Sequence, residues 1–196
     1  MKKIASNDNK KFHIVYNSPV VLSFAFACVV VLILGALTGG LTTKLLFSVY
    51  RSSLLNPLTY LRFFTHVLGH ASVTHLVNNM MTFLLLGPML EEKYGSKDLL
   101  FVILSTAFVT GLVNFIFFPN VRLLGASGVV FAFILLSSIT GIKQKQIPLT
   151  FLIVAVLYLG SQIYEGIFVA DNVSQLGHIL GGIVGAVLGY IGVEKS

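Results

Sequence analysis

Long apolar runs separated by short polar segments make up most of the chain. A membrane-spanning helix needs about 20 mostly apolar residues, and the runs reach about that length. The pattern therefore predicts an all-α polytopic membrane protein with a six-transmembrane-helix bundle. The predicted spans cover roughly residues 17–40, 73–90, 99–118, 123–142, 148–169 and 175–193.

Composition supports the membrane interpretation. The 196 residues are 56% hydrophobic and 10% charged, with a mean hydropathy of +0.91. A soluble domain of this length has too little interior to hide so much apolar surface. No linker divides the runs, so we expect one domain over 17–193 after a short basic tail, 1–16. The first run is longer than a signal-peptide core of about 7–15 residues, which predicts a retained span.

The distribution of positive charge predicts the orientation. With six spans, nine lysines lie on the side of the termini and four cationic residues on the other. The positive-inside rule then places both termini in the cytoplasm, and so short a chain suits a bacterial plasma (inner) membrane. The net charge of +6 reflects this topology and contact with lipid headgroups. No nucleic-acid motif is present. The single cysteine, Cys28, excludes an intrachain disulfide and is expected to be a packing residue.

The segment 41–72, between the first two spans, mixes aromatic and aliphatic residues with Lys44, Arg51 and Arg62. This mixture is typical of short amphipathic pieces lying in the membrane interface. Two interpretations stay open: an ordinary anchoring loop, or a structured element that packs beside an active site.

Polar groups inside predicted spans are the main functional candidates, because burying them in lipid is costly. His75 and Asn79 lie four residues apart near the start of the second span, so they share a helix face. Gly125-Ala126-Ser127-Gly128 lies near the start of the fourth span. Gly177-His178, Gly181 and Gly185 lie in the sixth.

Three of these residues fall at one predicted depth. The separations from His75 to Glu91, from Ser127 to Lys143 and from His178 to Val193 are 16, 16 and 15 residues. At about 1.5 Å per residue, each lies roughly 22–24 Å from the cytoplasmic boundary. Each motif alone is weak evidence, but their common depth indicates an active site several ångströms below the outer surface.

The residue types indicate acyl transfer. A serine such as Ser127 is a poor nucleophile unless a base takes its proton, and His178 can do so near neutral pH. The glycines after His178 allow the fourth and sixth helices to approach closely. His75, Asn79 and the backbone N–H of Ser127 can donate to an oxyanion. No intramembrane aspartate is placed to orient His178, so the sequence predicts a dyad.

With these motifs, the chain resembles the rhomboid family of intramembrane serine proteases, in its minimal six-span form, from about residue 55 onward. The resemblance implies that Ser127 is the nucleophile and His178 the general base, with His75 and Asn79 in the oxyanion hole. It also implies supporting packing by Gly125, Gly128, Gly181, Gly185 and Phe131. The matching residues are Arg62, Phe64-Thr65-His66, His70, His75 to Asn79, Glu91, Gly95, Gly125 to Gly128, His178 to Gly181 and Gly185.

The resemblance also implies partners and a site of access. The substrates would be single-span membrane proteins with a helix-destabilising stretch near the outer end, and membrane lipids surround the protein. The connection 41–72 would be the family's membrane-embedded first loop. The fifth helix, near 158–164, would flank the access route. There are departures from the family pattern: Leu61 replaces Trp before Arg62, Phe131 stands where many members carry Tyr, and Gly177 stands where Ala is usual.

Four other functions fit the sequence less well. A non-catalytic rhomboid-like binder or escort of membrane helices typically lacks the Ser or the His, and both are present. A zinc protease needs Glu after His66, where Val67 stands, so we expect His66 and His70 to cap or hydrogen-bond the first loop instead. Glu91-Glu92 lacks the Arg that a glutamate-type membrane protease requires, and we expect an ion pair there instead. A transporter usually contains internal repeats, and none is visible. We expect no metal and no organic cofactor, and the oligomeric state stays open.

Overall fold

The computed structural model describes residues 14–142 and eleven separate positions between 149 and 191, with the backbone alone given for 138–142. The described secondary structure is helical apart from one isolated bridge, and loops and turns join the helices. The helices are α1 (Pro19–Leu37), α2 (Leu41–Leu46), α3 (Pro57–Thr65), α4 (Val73–Tyr94), α5 (Ser96–Phe117) and α6 (Ser127–Ile142), with a 3-10 turn at His66–Leu68 after α3.

Three of these helices, α1, α4 and α5, are long and apolar enough to cross a membrane. They correspond to the first three predicted spans. The fourth predicted span is an apolar helix too, but it begins at Ser127 and not at residue 123. The predicted fifth and sixth spans lie outside the described residues except at single positions. Large side chains such as Phe26, Leu85 and Phe101 are exposed on the outer faces of the helices, as lipid contact requires.

Aromatic side chains and close helix contacts hold these helices together. Phe83 of α4 stacks on Phe133 of α6 with ring centroids 5.0 Å apart, and Phe24 of α1 lies 4.8 Å from Phe83. At Gly87, a Cβ would lie 2.8 Å from a methyl group of Val21, so only glycine lets α1 and α4 approach this closely. Cys28 is fully buried in this core, as a packing residue would be.

Glu91 links α4 to the start of α1. Its carboxylate accepts hydrogen bonds from the backbone N–H groups of Val20 at 2.9 Å and Val21 at 3.0 Å. The Ser96 hydroxyl donates to the same carboxylate at 2.6 Å. The expectation of an ion pair at Glu91 was wrong. The first N–H groups of α1 have no partner within their own helix, and the Glu91 carboxylate accepts from two of them. Its negative charge also interacts favourably with the positive end of the α1 helix dipole.

The connection between α1 and α4 is a structured element. Arg62 is 2% exposed. It donates through Nε to the Leu45 carbonyl at 3.0 Å and through Nη1 to the Ser52 hydroxyl at 3.2 Å. Its guanidinium lies 4.5 Å from the centre of the Tyr50 ring. Arg62 thus anchors the connection although no tryptophan precedes it, because the exposed Leu61 is not needed for these contacts.

Candidate active site

The segment that leads into α6 is fixed by the connection. Val49 and Leu123 form an isolated antiparallel bridge, with both N–H···O distances at 2.9 Å. Two residues later, the Gly125 N–H donates to the His66 carbonyl at 3.0 Å. These contacts hold the chain from Leu123 to Gly125 out of helical geometry, and α6 begins two residues later, at Ser127.

His66 is itself held by two contacts. Its Nδ1 faces the Arg62 carbonyl at 3.0 Å, and its Nε2 lies 3.2 Å from the Thr110 hydroxyl on α5. Burial lowers the pKa of His66 from 6.5 to about 4, so the ring is neutral at physiological pH. The expectation that His66 hydrogen-bonds the first loop agrees with this geometry.

His75 and Asn79 converge on Gly125. An added Cβ at Gly125 would lie 2.8 Å from His75 Nε2 and 3.7 Å from Asn79 Nδ2, so both side chains face this residue from one side of α4. Gly125 has φ +120°, a backbone conformation that other residues rarely adopt. The Ser72 hydroxyl accepts the His75 N–H at 3.1 Å and so caps the N-terminus of α4. This cap fixes where α4 begins and therefore which residues of its first turns face Gly125.

Asn79 carries a buried donor that has no hydrogen-bond partner within the described part of the chain. The residue is 6% exposed, and its Nδ2 is the atom that faces Gly125. A buried amide without a partner is costly and is common where a group is kept ready for a ligand or a reaction intermediate.

Ser127 is the first residue of α6 and is 5% exposed. The N–H groups in the first turn of a helix have no helical partner, and the helix dipole favours negative charge there. Gly128 and Phe131 are buried in the following turn. His178, Gly181 and Gly185 lie outside the described residues.

His70 was assigned only to the loop by the sequence, but it also contacts His75. The two rings form an edge-to-face contact with centroids 5.1 Å apart, and His70 Nδ1 faces the Leu68 carbonyl at 3.2 Å. Burial, and then the charge of a protonated His75, lower the pKa of His70 to about 4. A neutral His70 therefore packs behind the side chain that faces Gly125.

A buried polar row on α5 was missed from the sequence. Thr106, Thr110 and Asn114 are each at most 2% exposed and recur at intervals of four residues. Asn114 Nδ2 donates to the carbonyl of Val121 at 3.1 Å and so helps to hold the segment before α6. Polar residues on one face of the third predicted span were the signal that could have identified it. The described residues contain no group of three potential metal ligands.

These features define a multi-pass helical membrane protein with polar groups gathered at the start of one buried helix. A family model described as "Rhomboid domain" matches residues 57–195. The chain belongs to the rhomboid family.

Named relatives agree with this family. The chain is 31% identical to Rhomboid-related protein 2 of Mus musculus over 156 residues, which cover 69% of this chain and 51% of that protein. It is 30% identical to Rhomboid-related protein 1 of Caenorhabditis elegans, over 66% of this chain and 39% of the relative. It is 25% identical to the Rhomboid protease GlpG of Yersinia pestis (strain Pestoides F), and this match covers 91% of this chain and 64% of that protein. The chain thus spans about half or less of the two animal relatives.

Proposed function

We propose that this protein is an intramembrane serine endopeptidase that cleaves single-span membrane proteins near the outer end of their transmembrane helix. Ser127 is the nucleophile and His178 the general base. The observation that supports this most is the convergence of His75 and Asn79 on Gly125, two residues before Ser127. An acyl-transfer site needs hydrogen-bond donors of this kind beside its nucleophile.

The reaction follows from these roles. His178 takes the proton of the Ser127 hydroxyl as its oxygen attacks the carbonyl carbon of the scissile peptide bond. The tetrahedral intermediate collapses when His178 gives the proton to the leaving amine. Water, activated by the same histidine, then hydrolyses the acyl-enzyme. No step requires a metal or an organic cofactor.

The negative charge on the intermediate needs donors that are already oriented. In this proposal they are the His75 ring, Asn79 Nδ2 and the backbone N–H of Ser127. Asn79 Nδ2 suits the role because it is buried and spends no hydrogen bond on another described residue. Removing one such donor from a serine protease site lowers kcat by about 10²–10³-fold.

The proposal includes the arrangement in the membrane. Six spans form one domain over 17–193, after a basic tail at 1–16, and both termini face the cytoplasm from the plasma membrane. The number and sides of the lysines support this orientation. The active site then opens towards the outer side, where water is available for the second half-reaction.

The test uses the full chain purified in detergent with a model single-span substrate. We expect Ser127→Ala and His178→Ala each to abolish cleavage, and Asn79→Ala to reduce kcat by ~10²-fold or less because other donors remain. Full activity in Ser127→Ala would refute the mechanism. Unchanged thermal unfolding in each variant is the control for folding.

A second measurement separates the protease from a non-catalytic binder of membrane helices. A fluorophosphonate probe should label Ser127 in the wild-type protein and lose most labelling in His178→Ala. A folded wild-type protein that captures substrate helices but is neither labelled nor able to cleave would favour the binder.

A further inference from the structure

A cavity of about 480 Å³ lies beside the candidate active site. It is at the face of the molecule where α1 ends and where α4 and α6 begin, here called the Ser127 face. Leu32 and Ala36 form an apolar wall, and the polar wall includes Lys44, His70 and Arg122. The volume falls within the range of about 300–1,000 Å³ that is usual for small-molecule sites.

The cationic side chains on the Ser127 face fall into two pairs. Arg51 and Arg62 are used internally: Arg51 donates to carbonyls in the last turn of α5, and Arg62 anchors the connection. Lys44 and Arg122 are exposed, and their side chains make no hydrogen bond or ion pair with a described residue. The pair with no internal role is the pair that lines the cavity.

The acidic residues of the described chain lie elsewhere. They are Glu91, Glu92 and Asp98, all around the turn between α4 and α5, at the opposite ends of these helices from the cavity. Within the described residues, the charge of Lys44 and Arg122 therefore has no nearby carboxylate. Two cations in one partly apolar cavity attract an anion.

We propose that this cavity binds the phosphate of an anionic lipid headgroup, the chemistry of phosphatidylglycerol. Lys44 and Arg122 pair with the phosphate. A lipid is favoured as the source because the cavity lies at the ends of two membrane-spanning helices, where headgroups lie. Leu32, Ala36 and Leu124 can then cover the glycerol end of the acyl chains. The inference does not depend on the proposed protease activity.

The test measures lipid selectivity in vesicles. The full chain is reconstituted in phosphatidylcholine vesicles with a trace of spin-labelled lipid, and the motionally restricted fraction gives a relative association constant. Spin-labelled phosphatidylglycerol should associate more strongly than phosphatidylcholine. In the double variant Lys44→Gln/Arg122→Gln, the ratio of the association constants for phosphatidylglycerol and phosphatidylcholine should be at least tenfold lower. Each cation near a membrane surface contributes about fivefold in affinity. The matched control, Lys93→Gln/Lys97→Gln, removes the same charge at the opposite face and should keep the preference.

Two further arms identify the ligand chemistry. Phosphatidylmethanol has the same charge without the hydroxyls, and it should associate about as strongly as phosphatidylglycerol with the wild-type protein, because Lys44 and Arg122 respond to the phosphate charge. Inorganic phosphate at 10 mM, an order-of-magnitude choice for a weak anion site, should not displace the lipid. Displacement would assign the site to free phosphate and overturn the lipid source. An unchanged preference in Lys44→Gln/Arg122→Gln, or an equal loss in the control, would overturn the anion site.

Discussion

Gly125 joins two constraints at one residue. Its φ of +120° disfavours any side chain, and a Cβ there would lie only 2.8 Å from His75 Nε2, so the glycine makes room for the His75 ring. Glycines in membrane helices commonly allow close packing of helix backbones. Here the glycine allows a ring from α4 to reach the segment that leads into Ser127.

We expect Gly125→Ala to reduce cleavage of a model substrate at least tenfold in kcat/KM, because the new methyl group must displace the His75 ring. The matched control is Gly95→Ala. Gly95 also has a positive φ, +82°, but a Cβ there would meet nothing within 4 Å. Both variants pay a backbone strain of ~1–2 kcal/mol, so their thermal stabilities should fall by similar amounts. An equal loss of activity in the two variants would show that strain alone is responsible.

At the scale of elements, the contacts that position the site join distant parts of the sequence. The helix periodicity and hydropathy predicted α1, α4 and α5 nearly to their ends, and they placed His75 and Asn79 on one face. The start of α6 was predicted four residues early, because hydropathy does not reveal that Leu123 pairs with Val49. The role of Glu91 was missed for the same reason, since its partners on α1 lie 70 and 71 residues away.

We expect Glu91→Gln to lower the free energy of unfolding by about 2 kcal/mol. A glutamine offers one acceptor oxygen in place of two, and its NH₂ group would face an N–H of α1. For a chain of this size the loss corresponds to roughly 4–8 °C in Tm. The measurement is thermal unfolding in detergent.

The neighbouring substitution Glu92→Gln is the matched control. Glu92 is exposed, and Glu92→Gln removes the same charge one residue away from the Glu91 carboxylate that caps α1. Its Tm should stay within about a degree of the wild type, as is usual for surface positions. If both variants lost the same stability, net charge at this membrane face would be responsible, and the capping contact would not.

For the whole molecule, the connection between α1 and α4 makes stability depend on pH. His66 and His70 have their pKa lowered to about 4 in the folded protein, chiefly by burial, against 6.5 in an unfolded chain. Above pH 6.5 both rings are neutral in either state, and pH has no effect through them. Between pH 6.5 and about 4 the unfolded chain binds protons that the folded protein does not, so stability falls as pH falls.

We therefore expect Tm in detergent to fall steadily from pH 6.5 to about 4, with a total loss on the order of a few kcal/mol for the two rings together. His70→Gln should lower Tm at neutral pH but flatten this slope, because glutamine keeps a polar contact and does not titrate. A slope unchanged in both His70→Gln and His66→Gln would mean that other groups control acid stability.

Because His66 accepts the Gly125 N–H through its carbonyl and His70 packs against His75, the same acid range should loosen the candidate site before the spanning helices separate. Protection of the Gly125 amide against hydrogen exchange, followed across this range, should then be lost at a higher pH than the helical circular dichroism signal.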